Sequence, residues 1–180
     1  MSSDAIHLVP YDPRWPEMFR AEAERLRDLL GRQFVLRFEH IGSTAIPGLN
    51  AKPIIDMLIE IPSFESALVN ILPKLQQEGW EYHWRDDRPP GHMYFVRRNA
   101  AGVRTHHLHL LTSGHPGWER VAFRDYLRAI PEEARRYEQL KRDLAAKHPA
   151  DREAYTDGKG EYIQRITAHA LSLIMKNTGH

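Results

Sequence analysis

Apolar residues recur along the chain in two rhythms, and the change between them divides it. Residues 6–9 alternate as a short strand that Pro10 stops, and Asp12-Pro13 reads as a turn and cap. From Trp15 the apolar positions Trp15, Met18, Phe19, Ala23, Leu26, Leu29 and Leu30 fall at helical spacing, with Gly31 as the stop. Residues 34–41 alternate as a strand, with Leu36 and Phe38 on one face and Arg37 and Glu39 on the other. After the turn-rich Gly42-Ser43-Thr44-Ala45-Ile46-Pro47-Gly48, residues 54–61 form a nearly unbroken apolar run. That run predicts a central strand covered on both faces, with Asp56 interrupting it early and Glu60 late.

Ser63 is placed to cap a helix that Pro73 kinks or splits and Gly79 ends. Three more strands are predicted over residues 81–84, 92–96 and 105–111, the first two joined by a charged loop over 85–91 and the last two by a tight turn at 99–102. Beyond Gly117 the rhythm turns helical, over 118–130, Pro131–Lys147 and 161–175, with a turn over 155–160. Strands and helices mix in the first two-thirds and helices fill the rest. The pattern therefore predicts an α/β (α+β) core over 1–116 and a helical extension over 117–180 packed on it, in one domain.

Composition narrows what such a domain can do. The 180 residues hold no cysteine, which excludes disulfide frameworks, thiolate zinc sites and cysteine nucleophiles. The 25 basic and 24 acidic side chains give a net charge of +1, against the basic excess of a general nucleic-acid binder. No apolar run approaches the roughly 18 residues that cross a bilayer. The first ten residues have neither a basic start nor a long apolar stretch, so the expectation is a cytoplasmic protein with no membrane partner. Eleven histidines, several of them clustered, are the unusual count.

Four segments carry candidate chemistry. Gly42-Ser43 leaves one strand and Asp56 lies near the start of the next. A Gly-Ser turn offers backbone N–H groups and a hydroxyl to a phosphate oxygen, and a carboxylate on the next strand can ligate Mg²⁺; an ordinary loop before a strand with one satisfied Asp is the alternative. An unpaired buried carboxylate is costly, so Asp56 requires a metal, a cation or hydrogen-bond donors. In Thr105-His106-His107-Leu108-His109, alternation puts His107 and His109 on one face and His106 on the other. The pair can share a metal, bind phosphate, act as acid and base, or be ordinary strand histidines. A histidine-triad hydrolase would need a third same-face His where Thr105 or Leu111 stands, and a metallo-β-lactamase-like site would need Asp-His where Leu111-Thr112 stands. The basic set Lys52, Arg85, Arg88, Arg97, Arg98 and Arg104 is of the kind that pairs with triphosphates, Lys52 standing out just before the Asp56 strand. In the helical part Arg124, Tyr137, Lys141 and Lys159 are placed to close over a nucleotide, while Phe123, Leu127 and Ile130 are packing positions. Lys159 precedes a helix, where a cation meets the positive end of the helix dipole unless an anion is bound. No P-loop, dinucleotide-binding glycine motif or Gly-x-Ser-x-Gly is present.

Tyr11-Asp12-Pro13-Arg14-Trp15, the stretch from Glu39 to Leu49 with Gly-Ser-Thr-Ala-Ile-Pro-Gly-Leu, Ala51-Lys52-Pro53-Ile54-Ile55-Asp56, Thr105-His106-His107-Leu108-His109, Phe123-Arg124-Asp125-Tyr126-Leu127-Arg128 and Tyr155-Thr156-Asp157-Gly158-Lys159 together resemble the GrpB family (UPF0157) over nearly the whole chain. The resemblance implies a nucleotidyltransferase-like fold, a short mixed β-sheet flanked by helices. In that superfamily a Gly-Ser turn is followed by two Asp residues separated by one, and a third acid comes from a later strand. These acids hold two Mg²⁺ that orient a nucleoside triphosphate and activate the attacking hydroxyl. Gly42 and Ser43 match the turn and Asp56 the first acid; Leu58 stands at the second, and His107 and His109 where the third would fall. Glu60 lies about 7 Å further along the same face.

The resemblance thus implies a protein binding a nucleoside triphosphate or other phosphorylated small molecule, with metal-dependent nucleotidyl transfer to an unidentified acceptor. In that reading Ser43 holds phosphate, and Asp56 ligates Mg²⁺ or another divalent cation. His107 and His109 are ligands or acid–base groups, and Lys52, Arg104 and Lys159 balance charge. A non-catalytic nucleotide-binding or regulatory module, and a phosphohydrolase using the histidine pair with Asp56, are the alternatives.

Overall fold

The computed structural model describes residues 6–83 and 91–178. Its seven helices are α1 (Trp15–Leu30), α2 (Phe64–Asn70), α3 (Leu72–Gln77), α4 (Glu119–Ala129), α5 (Pro131–Lys147), α6 (Arg152–Asp157) and α7 (Gly160–Thr178) among the described residues. The strands are β1 (Arg37–Ile41), β2 (Ile55–Ile61), β3 (Glu81–Tyr82), β4 (His92–Arg98) and β5 (Arg104–Thr112). They form one five-stranded sheet in the order β1-β2-β5-β4-β3. Only β2 and β5 run parallel, so the sheet is mixed.

Period-two alternation on β2 and β5 gives the sheet two different faces. Ile55, Met57, Ile59 and Ile61 with Leu108 and Leu110 face α1 and α3, in a core that also holds Leu26, Leu30, Leu75 and Phe95. Asp56 and Leu58, with His107, His109 and Leu111 opposite, point the other way. There Ile41, Leu58 and Leu111 meet Trp118 and Val121, the latter on α4. The helical part also packs on the turn after β1, where Ile46 and Leu49 join Phe123, Leu127, Tyr137 and Ile166.

Most predicted elements form, with local differences that have physical causes. Residues 6–9 make one antiparallel bridge, Val9 to Ala51, because Pro10 brings no N–H to extend it. Leu36, expected on the core face of a strand over 34–41, lies before β1 and is exposed. The helix after Ser63 is capped by the Ser63 side chain and splits at Ile71, with Pro73 in the first turn of α3. The strand predicted over 81–84 is described only at Glu81–Tyr82, and the charged loop over 85–91 lies outside the described residues except for Gly91. The turn predicted over 155–160 is a helix in its first half: Asp151 caps α6, its carboxylate accepting from the Ala154 N–H at 2.9 Å.

Candidate functional site

Gly42 ends β1 with a φ of +72°, a region open to glycine, and Ser43–Ala45 then turn as one 3₁₀ step. A Cβ on Gly42 would lie 2.9 Å from Cγ of Asp56, so glycine is also what lets the carboxylate sit against the turn. Thr44 pins the turn from inside: its hydroxyl donates to the Ile54 carbonyl at 3.0 Å and lies 3.0 Å from His40 Nε2. Burial pushes His40 down to about 4, so its neutral ring donates to Thr44 from Nε2 while stacking on Phe19. His40 and Thr44 thus fix the angle at which Ser43 is presented.

Asp56 and His107 stand directly opposite each other on the parallel strands β2 and β5. His107 Nδ1 lies 2.7 Å from Asp56 Oδ1. Burial would push the Asp56 carboxyl up, but His107, Lys52 and Arg120 outweigh it and hold the group below its ordinary value. The other ring nitrogen of His107, Nε2, is buried and has no hydrogen-bond partner among the described residues. His109 shares the face but not the partner. Its Nδ1 lies 2.9 Å from His92 Nε2, and its ring stacks on Tyr94 at 4.8 Å between centroids.

The acids and imidazoles do not fit the two-Mg²⁺ arrangement implied by the superfamily. Magnesium requires an octahedral shell rich in oxygen. Leu58, at the second acid position, is fully buried against Ile41 and Leu111. Glu60, further along the Asp56 face, pairs with Arg37, its carboxylate 3.6 Å from Nε. Asp56 already accepts from His107, and no group of three or more His, Asp or Glu gathers as a metal site among the described residues.

All eight sequence-predicted residues, Gly42, Ser43, Lys52, Asp56, Arg104, His107, His109 and Lys159, line one cavity of about 710 Å³. Tyr137 and Lys141 of α5 line it as well. Lys141 is 1% exposed, and its ammonium donates to the Ser43 hydroxyl at 3.2 Å and to the Asn50 carbonyl. Lys52 and Lys159 approach the ring of Tyr155, their Nζ atoms 5.0 and 4.3 Å from its centroid. Burial, then neighbouring cations, push Lys52 down to about 7 and Lys141 to about 7; burial and Arg152 push Lys159 to about 8. Among the described residues, six Lys and Arg side chains and three carboxylates line the cavity, so this part of the lining is cationic. It is a cavity shaped by its own charge to receive an anion.

Other candidates lie elsewhere. Arg97 bonds to the buried Glu22 at 3.1 Å, and Arg98 to the exposed Glu81 at 3.1 Å. Arg124 is buried under the turn, donating to Glu39 at 2.7 Å and to the His40 carbonyl at 2.8 Å, and so braces β1. Arg85 and Arg88 lie outside the described residues. Sequence reasoning missed Arg120, Arg152 and Tyr94, which line the cavity. Arg120 in the first turn of α4 carries the same signal as Lys159, a cation at the positive end of a helix. Arg152 was hidden by reading a turn where α6 forms, although Asp151 three residues before Ala154 is a capping signal.

Comparison with known proteins follows the same lines. The sequence profile of the GrpB protein family matches residues 5–169. A UPF0157 protein of Pseudomonas aeruginosa is 42% identical over 171 residues, covering 94% of this chain and 69% of that protein. The crystal structure of the conserved protein GrpB from Enterococcus faecalis superposes with a TM-score of 0.84 at 33% identity, over 94% of this chain and 99% of that one. The Cid1 poly(U) polymerase, crystallised with Mg 3′-dATP bound, is similar in fold alone, with a TM-score of 0.51 at 13% identity over 77% of this chain and 43% of that one. The mixed sheet with its flanking helices is a nucleotidyltransferase-like fold, and the chain belongs to the GrpB family (UPF0157).

Proposed function

We propose that the cavity between the sheet and the C-terminal helices binds a nucleotide, most simply a nucleoside triphosphate. The observation that carries this is the convergence of six cations and the Gly42-Ser43 turn on one cavity of about 710 Å³. A volume of a few hundred Å³ upward suits a ligand of nucleotide size. The turn offers N–H and hydroxyl donors to a phosphate, and Lys52, Arg104 and Lys159 answer its charge. Tyr94, Phe123, Tyr137 and Tyr155 give the lining aromatic surface on which a nucleobase can lie. Lysines whose protons are weakly held through burial keep them more firmly beside an anion, so binding and charge support each other.

Within this reading the cavity serves nucleotidyl transfer to an acceptor hydroxyl, with His107 and His109 as acid–base groups and Asp56 orienting His107. Leu58 at the second acid position favours a second reading, a nucleotide-binding or regulatory module without turnover. Calorimetry with ATP, GTP, CTP and UTP, with and without Mg²⁺ or Mn²⁺, tests the binding. Heat from none of these would overturn it. Pyrophosphate release then supports transfer, binding without release the regulatory module, and orthophosphate release a phosphohydrolase.

A further inference from the structure

The lining of the cavity poses a problem of charge. Lys52, Lys141 and Lys159 gather there, and no ion pair joins any of them to a carboxylate among the described residues. Two of the ammoniums are held by the face of one ring, Tyr155, and the third by the Ser43 hydroxyl and the Asn50 carbonyl. Aromatic faces and neutral oxygens hold cations in place without cancelling them. Among the described residues no three His, Asp or Glu side chains gather in the cavity to hold a divalent cation, and Leu58 and the Glu60–Arg37 pair remove two candidate positions.

We infer that the cavity binds its polyphosphate ligand metal-free, with lysine and arginine side chains taking the phosphate charge that Mg²⁺ takes elsewhere. The inference rests on the nucleotide-binding reading above and deepens it. Among the described residues, Lys52, Lys141 and Lys159 bring to the lining positive charge that no ion pair cancels. A metal-free triphosphate meets that positive charge with its full charge, whereas bound Mg²⁺ cancels part of it and adds a cation beside the lysines. Burial first, and neighbouring cations after it, loosen the proton of all three lysines, and an anion beside them would offset both effects. The phosphate chain is the recognised part, so inorganic tripolyphosphate binds as well as ATP does at this subsite.

The test is calorimetric titration of the full chain with ATP and with inorganic tripolyphosphate, in EDTA and again in excess Mg²⁺. Binding of both probes in EDTA, at least as tight as in Mg²⁺, is the expected result. Lys159→Gln should lower the affinity in EDTA about tenfold or more, as loss of a charge-assisted phosphate contact does, and Lys159→Arg should restore it. A thermal melt of each variant separates lost binding from lost folding. ATP binding that requires Mg²⁺ overturns the inference and leaves the nucleotide-binding reading standing. Binding of neither probe in either buffer overturns both. ATP binding without tripolyphosphate binding overturns the claim that the phosphate chain is what the lysines recognise.

Discussion

The two faces of the central sheet are made from alternate residues of the same strands, yet they obey different physics. On β2, Ile55, Met57, Ile59 and Ile61 are at most 1% exposed and join a single apolar core with α1 and α3. Their neighbours Asp56 and Glu60 are half-buried on the other face, with Leu58 packed between them. The apolar face gains stability from area removed from water, at about 25 cal/mol per Å². The polar face gathers charges that cost stability unless they are answered, and most are answered by one another: Asp56 by His107, Glu60 by Arg37, Glu39 by Arg124. The lysines are the exception. A sheet can keep so unbalanced a face because the opposite one supplies the folding energy, which is the usual relation between a scaffold and a site.

Four experiments test that contrast. Met57→Ala, on the apolar face, should cost about 2–5 kcal/mol in urea unfolding through the cavity it leaves, with nucleotide binding kept in the folded fraction. A loss below 1 kcal/mol would mean that this face is not the stabilising one. Gly42→Ala, at the rim of the polar face, should cost about 1–2 kcal/mol for the left-handed backbone alone. It must also displace the Asp56 carboxylate, so ATP binding should weaken with it, and calorimetry at a temperature where the variant stays folded reads that second effect.

The third experiment uses pH. Lysines ordinarily hold their protons to about 10.5, but Lys52 and Lys141 release theirs at about 7 and Lys159 at about 8 in the fold. Between those values the unfolded chain binds more protons, so stability should rise as pH climbs from 7 towards 10. The rise should end there, because burial raises Tyr137 and Tyr155, whose folded forms keep protons that the unfolded chain loses above 10. Midpoints of urea unfolding at pH 7, 8 and 9 check this, and saturating tripolyphosphate should flatten the slope by holding the lysines charged. A midpoint that falls over this range would contradict the account of lysines whose protons are loosened by burial. The smallest effect belongs to Glu60→Ala, which removes a partly exposed ion pair with Arg37 outside the cavity. It should shift stability by no more than about 1 kcal/mol and leave ATP binding unchanged. A large loss of binding would bring Glu60 into the site.

Much of this was legible along the chain because each signal was local. The nearly unbroken run before Pro62 predicted a central strand, and Asp56 within it had to be answered. Same-face spacing put His107 and His109 together on the sheet. A cation just ahead of a helix marked Lys159, and the same argument reaches Arg120. Where reading failed, the deciding term was not local. Leu36 has the right phase for the core but sits beyond the end of the ladder. The helix α6 is six residues long, and its turn-like composition hides an Asp151 cap and a Tyr155 that is only 1% exposed.

By itself, the sequence determined the elements, the alternation that separates an apolar face from a chemical one, and the residue types at the site, since these follow from periodicity, caps and turn chemistry within a few residues. Only the tertiary structure decided which partners those residues take. It set Asp56 against His107 through the parallel register of β2 and β5, and gave His109 to His92 across β4. It also carried Lys141 from α5 to Ser43, 98 residues away in the chain. Charges interact through space rather than along the backbone, so the balance of the cavity exists only once the helices have closed over the sheet.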